Sequence, residues 1–328
     1  MVALMMPPKS LNLLNSKLTP CIIQCSKAIP ITLIWILLLA FYSRLRYDDV
    51  TPVIYNFSYL LKACADNSDV VKGKQVHAQL ILHGFSDSLF AMTSVVNLYA
   101  KCGMVGDAYK MFDRMPERDL VCWNTVISGY AQNGMSKRAL ELVLRMQEEG
   151  CNRPDSVTIV SILPACGAIG SFKMGKLIHG YVFRNGFESL VNVSTALVDM
   201  YAKCGSVDTA RLVFDKMDSK TVVSLNAMID GYARNGYYDE ALIIFQKMLD
   251  EGFKPTNVTI MSTLHACAET RNNELGQYVH KLVNQLCLGS NVAVVNSLIS
   301  MYCKCQRVDI AAELFENLRE KHLFHGML

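Results

Sequence analysis

The feature that most constrains this chain is an internal repeat with a period of 101 or 102 residues. The segment VVNLYAKCG at Val95 returns as LVDMYAKCG at Leu197 and as LISMYCKCQ at Leu298. The segments KGKQVHA, MGKLIHG and LGQYVHK follow the same interval, as do WNTVISGYAQNG and LNAMIDGYARNG. A period made of several short folding units predicts a solenoid, because each unit buries its apolar face only against its neighbours.

Each period divides into three units of related but different type, which are called long, short and P units below. In chain order the predicted units are 54–88 (long), 89–119 (short), 120–155 (P), 156–190 (long), 191–221 (short), 222–256 (P), 257–291 (long) and 292–322 (short). Residues 1–53 precede the repeats, and 323–328 form a short tail.

Every unit has the pattern of two amphipathic helices. In the unit 120–155, the apolar residues Val126, Ile127 and Tyr130 fit one helical face, and Gly134 marks its end. A second apolar run with the same spacing completes the unit. The predicted fold is therefore an all-α, right-handed α-solenoid of stacked helix-turn-helix units.

Composition argues against a metal site, a disulfide framework and a catalytic centre. The twelve cysteines include no C-x-x-C pair, and six of them recur at the repeat interval, which favours close helix packing with reduced thiols. His77, His179 and His280 recur in the same way, as scaffold residues would. We therefore expect no cofactor and no enzymatic activity. The net charge of +3 does not by itself predict binding to nucleic acid.

Residues 1–53 do not repeat and contain no acidic residue before Asp48, as in an organelle transit sequence. The apolar run 29–42 has only 14 residues, whereas a membrane-spanning helix needs about 20. We expect a cleaved or disordered leader and no membrane association. A secretory signal or membrane anchor stays open as the alternative.

The repeats resemble the pentatricopeptide repeat (PPR) proteins of land plants, in the class with alternating P, L and S motifs. Four segments carry the resemblance: MYAKCG at Met200, FDRMPERDLVCWNTVISGYAQNG at Phe112, GKQVHA at Gly73 and LPACG at Leu163. The resemblance covers residues 54–322. It is greatest to the chlororespiratory-reduction group of chloroplast RNA-editing factors, through PVIYNFSYLLKAC and LVNVSTALVDMYAKCG.

This resemblance implies binding of single-stranded organelle RNA, one base per unit, upstream of a cytidine that is edited to uridine. It assigns base reading to the fifth and last residues of the short and P units. The implied pairs are Thr93 with Asp119, Asn124 with Asp155, Thr195 with Thr221, Asn226 with Thr256, and Asn296 with His322. Val121 and Val223 would sandwich the bases. The implied RNA sequence, from 5′ to 3′, is n-G-U-n-R-Y-n-Y.

Other interpretations of the same residues stay open. Ser58, Val160 and Met261 stand fifth in the long units, which we expect to space the bases and not to read them. Asn124 and Asn226 also fit a role as N-caps or turn residues near a helix start. For the recurring lysines two roles stay open: contact with the phosphates of RNA, or a positive charge that complements a helix dipole. These lysines are Lys101, Lys203 and Lys304.

The zinc deaminase chemistry of editing needs H-x-E and P-C-x-x-C, and neither pattern occurs in this sequence. We therefore expect a truncated chain without the C-terminal extension and deaminase domains (E and DYW) found in other members of the class. The deaminase is then supplied in trans or lost by truncation, with editing accessory proteins as further partners. An apolar face at the C-terminal end of the solenoid would then be left uncovered, formed by Leu314, Phe315 and Leu318.

The expected location is the chloroplast, with the mitochondrion as the alternative. A protein-binding helical scaffold and a non-functional fragment are the competing functions.

Overall fold

The computed structural model of the protein describes residues 52–150 and 153–325, with side chains as far as Leu318. These residues form sixteen α-helices and two 3₁₀ turns, and none of them lies in a β-strand. The predicted all-α class is confirmed. Residues 1–51 of the leader, with the apolar run 29–42, lie outside the described residues.

The helices have the following bounds: α1 Ile54–Asp66, α2 Val70–Leu82, α3 Leu89–Lys101, α4 Val105–Asp113, α5 Leu120–Gln132, α6 Ser136–Glu148, α7 Ser156–Ala168, α8 Phe172–Arg184, α9 Val191–Lys203, α10 Val207–Asp215, α11 Val222–Arg234, α12 Tyr238–Asp250, α13 Asn257–Glu269, α14 Asn273–Gln285, α15 Val292–Lys304 and α16 Val308–His325. The helices are named below in consecutive pairs, called hairpins, in which each odd-numbered helix is the first helix and each even-numbered helix is the second. The 3₁₀ turns Phe187–Ser189 and Leu288–Ser290 follow α8 and α14.

The chain divides into two compact units, with the boundary between Ala165 and Cys166 inside α7. In the first unit, α1 packs on α3 and α3 packs on α5, and the helices α1, α3 and α5 also pack on their own second helices. In the second unit, α9, α11, α13 and α15 pack in the same succession. This succession of packed hairpins confirms the predicted solenoid of helix-turn-helix units. Its right-handedness stays a prediction.

Two recurring residues set how closely neighbouring first helices approach. A Cβ atom on Gly129 would lie 2.6 Å from the Cβ of Ala100 in the preceding hairpin, so only glycine fits there. The Asn133 side chain then donates to the Ala100 carbonyl at 2.9 Å and to the Gly129 carbonyl at 2.7 Å. Gly134 ends the helix in the left-handed conformation with φ 75°. The recurrence of GYAQNG as GYARNG thus repeats one helix-to-helix junction.

The apolar core lies between successive hairpins. Phe112 on α4 is fully buried against Trp123 on α5, with ring centroids 4.7 Å apart. Phe214 on α10 is 1% exposed. Phe315, which stands at the same place of the repeat in α16, is 56% exposed.

Candidate nucleic-acid interface

The two asparagines that the resemblance assigns to base reading lie inside helices. Asn124 and Asn226 are the fifth residues of α5 and α11. The N-caps of these helices are Asp119 and Thr221. The N-cap interpretation is therefore wrong for the asparagines.

Four of the five last residues assigned to base reading have side chains that cap helices. Asp119 accepts the Cys122 backbone N–H at 2.8 Å, and Asp155 accepts that of Thr158 at 2.9 Å. Thr221 and Thr256 accept the backbone N–H groups of Ser224 and Thr259 at 3.2 and 3.4 Å. Each side chain satisfies one of the unpaired N–H groups in the first turn of the following hairpin.

In one P-type hairpin the predicted pair is in direct contact. The Asn124 side-chain nitrogen Nδ2 donates to Asp155 Oδ1 at 3.1 Å. The Thr158 hydroxyl donates to the Asn124 oxygen Oδ1 at 2.6 Å and lies 2.9 Å from Asp155 Oδ1. We call Asn124, Asp155 and Thr158 the Asn124 cluster. Asn124 and Asp155 are partly exposed, whereas Thr158 is fully buried.

The carboxylate in this cluster is held in its ionised form. Burial by itself would raise the pKa of Asp155, but hydrogen bonds from the Thr158 backbone, the Asn124 amide and the Thr158 hydroxyl outweigh it and lower the pKa. An ionised carboxylate only accepts hydrogen bonds, so the nitrogen end of the Asn124 amide faces Asp155.

The same arrangement returns one period later with a different partner. Asn226 Nδ2 donates to the Thr256 hydroxyl at 3.0 Å, and the Thr259 hydroxyl donates to Asn226 Oδ1. We call Asn226, Thr256 and Thr259 the Asn226 cluster. Thr259 is fully buried, as Thr158 is. The sequence analysis missed both buried threonines. The signal that could have found them is the capping pattern of a Thr or Asp followed three residues later by a hydroxyl residue.

The short hairpins do not join their predicted pairs. Thr93 and Thr195 donate to carbonyls of their own helices, at Leu89 and Val191, over 2.8 and 2.7 Å. Among the described residues, no hydrogen bond connects Thr93 with Asp119 or Thr195 with Thr221. Thr93 instead lies against the Cys122 thiol.

The remaining fifth positions differ in exposure. Asn296 on α15 is exposed, and the side chain of its predicted partner His322 lies outside the described residues. Among the long hairpins, Ser58 is buried, whereas Val160 and Met261 are partly exposed. A buried hydroxyl and two apolar side chains offer a base no hydrogen bond.

Apolar side chains are exposed at the second residue of most first helices. Val121 is 62% exposed and Val223 is 65% exposed. Four residues that the sequence analysis did not name share this place and this exposure: Tyr55, Phe90, Val157 and Val258. The second and fifth residues are three apart, which puts them on the same helix face. An apolar surface and an asparagine amide are therefore neighbours on α5 and on α11.

The recurring lysines form ion pairs. Lys101 contacts Asp66 of the preceding first helix at 2.6 Å, and Lys203 contacts Asp199 of its own helix at 2.7 Å. Lys304 pairs with Glu269. All three lie in the last turn of a helix, where a positive charge complements the dipole. A phosphate at these ammonium groups would compete with a carboxylate.

The recurring histidines bind tyrosines of the next hairpin. His77 Nδ1 lies 3.1 Å from the Tyr99 hydroxyl, and the pairs His179–Tyr201 and His280–Tyr302 repeat the contact at 2.9 Å. Burial lowers the pKa of all three imidazoles, so the neutral form is favoured in the folded protein.

The recurring cysteines of the long hairpins are buried thiols. Burial raises the pKa of Cys64 and Cys267 to about 12 and that of Cys166 to about 11, so these thiols stay protonated. Among the described residues, no group of three or more His, Cys, Asp or Glu side chains could hold a metal ion. None of the helices within residues 52–150 and 153–325 has both the length and the apolar character needed to cross a membrane.

Comparison with known proteins places these hairpins in a family. The model of the PPR repeat family matches residues 220–269. The PPR repeat model matches four further segments, 90–120, 121–151, 193–222 and 293–323. Together these matches cover more than half of the chain.

Curated relatives carry the same repeats. The chain is 58% identical over 285 residues to the chloroplastic pentatricopeptide repeat-containing protein At1g11290 of Arabidopsis thaliana, covering 87% of this chain and 35% of the relative. It is 36% identical to the putative mitochondrial protein At3g25060 and 34% identical to the chloroplastic protein CRR2 of the same plant. The matches cover 87% and 86% of this chain but only 47% and 44% of those two relatives. This chain therefore spans between about a third and a half of the length of these relatives.

A solved structure shares the fold. The pentatricopeptide repeat protein PPR10, in complex with an 18-nt psaJ RNA element, aligns with 91% of this chain and 47% of its own, with a TM-score of 0.66 and 19% identity. With its helical hairpins, its repeat matches and its relatives, the chain belongs to the pentatricopeptide repeat family.

Proposed function

We propose that this chain binds single-stranded RNA in a plant organelle and reads the sequence one base per hairpin. The observation that carries this proposal is the pair of asparagine clusters on α5 and α11. In each cluster a partly exposed amide is held by the side chain that caps the next hairpin, next to an exposed valine. An amide offers a donor and an acceptor to the edge of a base, and an apolar neighbour offers a surface for its face.

The proposed assignment of bases follows the pairs named from the sequence. Asn124 with Asp155 reads U, Asn226 with Thr256 reads a pyrimidine, and Asn296 with His322 reads a pyrimidine. Thr93 with Asp119 reads G, and Thr195 with Thr221 reads a purine. The long hairpins act as spacers. The resulting target is n-G-U-n-R-Y-n-Y.

The biological role that we propose is recognition of a site for C-to-U editing by a protein with alternating P, L and S units. Editing accessory proteins are the further partners that we propose. The names of the relatives support an organelle, since At1g11290 and CRR2 are called chloroplastic and At3g25060 is called mitochondrial. We propose the chloroplast. The RNA in the PPR10 structure supports RNA as the ligand class.

Selection of RNA sequences tests this function directly. The full chain is mixed with a pool of randomised single-stranded RNA at low salt, and the bound fraction is sequenced. We expect enrichment of G followed by U, with loss of the U preference alone in Asn124→Ala. Ser161→Ala is the matched control, because the Ser161 hydroxyl only donates to the Val157 carbonyl of its own helix.

Two results would contradict the proposal. One is a flat base profile from a folded, helical protein, which would favour a protein-binding scaffold. The other is an unchanged profile in Asn124→Ala.

A further inference from the structure

The two ends of an asparagine amide present opposite hydrogen-bonding groups to a base. The oxygen accepts and the nitrogen donates, so turning the amide by half a rotation exchanges donor and acceptor. Base preference therefore depends on which neighbours fix the amide, and the two asparagine clusters differ in that respect.

In the Asn124 cluster the orientation is fixed twice. The Asp155 carboxylate only accepts hydrogen bonds, so it selects the nitrogen end of Asn124. The Thr158 hydroxyl donates to the oxygen end at 2.6 Å. A reversed amide would bring two oxygens together at Asp155.

In the Asn226 cluster the equivalent of the carboxylate is the Thr256 hydroxyl. A hydroxyl donates or accepts, so Thr256 satisfies either end of the Asn226 amide. The only other neighbour that holds the amide through a described hydrogen bond is Thr259.

In the described arrangement the Thr259 hydroxyl donates to Asn226. Its oxygen accepts the Thr256 backbone N–H at 2.9 Å. Its hydrogen has two acceptors within reach, Thr256 Oγ1 at 3.1 Å and the closer Asn226 Oδ1. Since strong O–H···O bonds span about 2.5–3.0 Å, the hydrogen goes to Asn226. Thr259 is fully buried, so water offers it no other partner.

We propose that Thr259 is a specificity-determining residue that acts by positioning the Asn226 amide. This inference rests on the proposed reading of RNA and deepens it: each P-type hairpin reads with three residues, and the third belongs to the next hairpin. Thr259 is decisive at Asn226, whereas Thr158 is redundant at Asn124 because Asp155 holds the amide there.

The test compares the same substitution at the two clusters in the full chain. The protein is titrated with single-stranded RNAs that differ only at the base opposite one hairpin. The base opposite each hairpin is identified as the one whose preference is lost in Asn226→Ala or in Asn124→Ala. In Thr259→Val, the ratio of dissociation constants for the two pyrimidines at the Asn226 position should fall by about threefold to tenfold, as expected for one hydrogen bond. In Thr158→Val, the ratio at the Asn124 position should change by less than about twofold.

Two further variants separate positioning from folding. Thr259→Ser keeps the hydroxyl and should keep the base preference. Thr259→Cys replaces the hydroxyl with a weak donor and should broaden the base preference. Cysteine is compatible with the third residue of a first helix, since Cys122 is the third residue of α5. Circular-dichroism melting confirms that each titrated variant is folded.

The outcomes distinguish this inference from the proposed function. If Asn226→Ala abolishes the base preference but neither Thr259→Val nor Thr259→Cys alters it, the positioning role is wrong and base reading stands. If Asn226→Ala itself changes nothing, base reading fails at this hairpin. An equal loss of base preference in Thr158→Val and Thr259→Val would contradict the claim that the Asp155 carboxylate makes Thr158 redundant.

Discussion

Individual side chains at the ends of the hairpins combine two tasks. Asp155 caps α7 through the Thr158 backbone N–H and also fixes the Asn124 amide. Thr256 caps α13 and contacts Asn226. We therefore expect a substitution at these places to change stability through the cap and, if the amides read RNA as proposed, recognition through the amide. Suitable variants separate the two effects.

The cap itself can be tested by stability. Asp155→Ala should lower the free energy of unfolding by about 1 kcal/mol, because the first turn of α7 loses its side-chain acceptor. Asp155→Asn should cost less, since asparagine caps helices nearly as well as aspartate. Urea unfolding at neutral pH measures both. Asp119→Ala, which removes the cap of α5, is the matched control with a similar expected loss. Equal losses for Asp155→Ala and Asp155→Asn would contradict the capping role.

From the sequence, the fifth and last residues were predicted only to read bases, which stays a prediction, and the capping role of the last residues was not predicted. Resemblance to the family assigned Asp155 and Thr256 to RNA, whereas the structure shows them also as helix caps. Thr158 and Thr259 were missed because hydroxyl residues are common in the first turn of a helix. Their role depends on an asparagine more than thirty residues earlier in the chain. Such a pairing follows from the stacking of hairpins and not from local pattern.

At the scale of the helix, the hairpins are joined by close contacts that one repeated motif supplies. Gly129 lets α5 approach Ala100 on α3, and Asn133 ties the two helices through backbone carbonyls. Gly231, Ala202 and Asn235 repeat the junction in the second unit. The sequence predicted the helix end at Gly134 from turn chemistry. It could not predict the need for glycine at Gly129, because that need comes from the neighbouring hairpin.

Two glycine-to-alanine substitutions should have opposite effects. Gly129→Ala places a Cβ 2.6 Å from the Ala100 Cβ, so α3 and α5 must separate, at a cost of about 1–3 kcal/mol in unfolding free energy. Gly106→Ala lies in α4 with no atom within 4 Å of the new Cβ. That control should stabilise the protein by about 0.5–1 kcal/mol, because alanine is the better helix former. Thermal melting compares the two, and a stabilising Gly129→Ala would contradict the described packing.

At the scale of the whole molecule, the periodicity of the sequence was sufficient to predict the all-α solenoid. Helix-spaced apolar residues recurring at a fixed interval leave few other ways to bury the apolar faces. The same periodicity identified His77, His179 and His280 as scaffold residues, and the structure gives the reason, a tyrosine hydroxyl in the next hairpin. The division into eight units with the stated boundaries, and the assignment of each pair to a base, stay predictions.

The repeated histidines should make stability depend on pH. Burial lowers their pKa in the folded protein from the ordinary value of 6.5, so above that pH the contacts contribute fully. As the pH falls below 6.5, the unfolded chain binds protons that the folded protein resists, and stability falls. Urea unfolding at pH 7.5 and pH 5.5 should show this loss. His77→Gln should reduce the difference between the two pH values. An unchanged difference in His77→Gln would contradict the assignment.

The central claim is that an asparagine and the side chain that caps the next hairpin together read one base, and Thr256→Asp tests it most directly. The substitution gives the Asn226 cluster the carboxylate of the Asn124 cluster. RNA selection with the full chain should then enrich U at the Asn226 position, as at the Asn124 position, with all other positions unchanged. An unaltered preference at the Asn226 position, in a folded variant that still binds RNA, would contradict the claim.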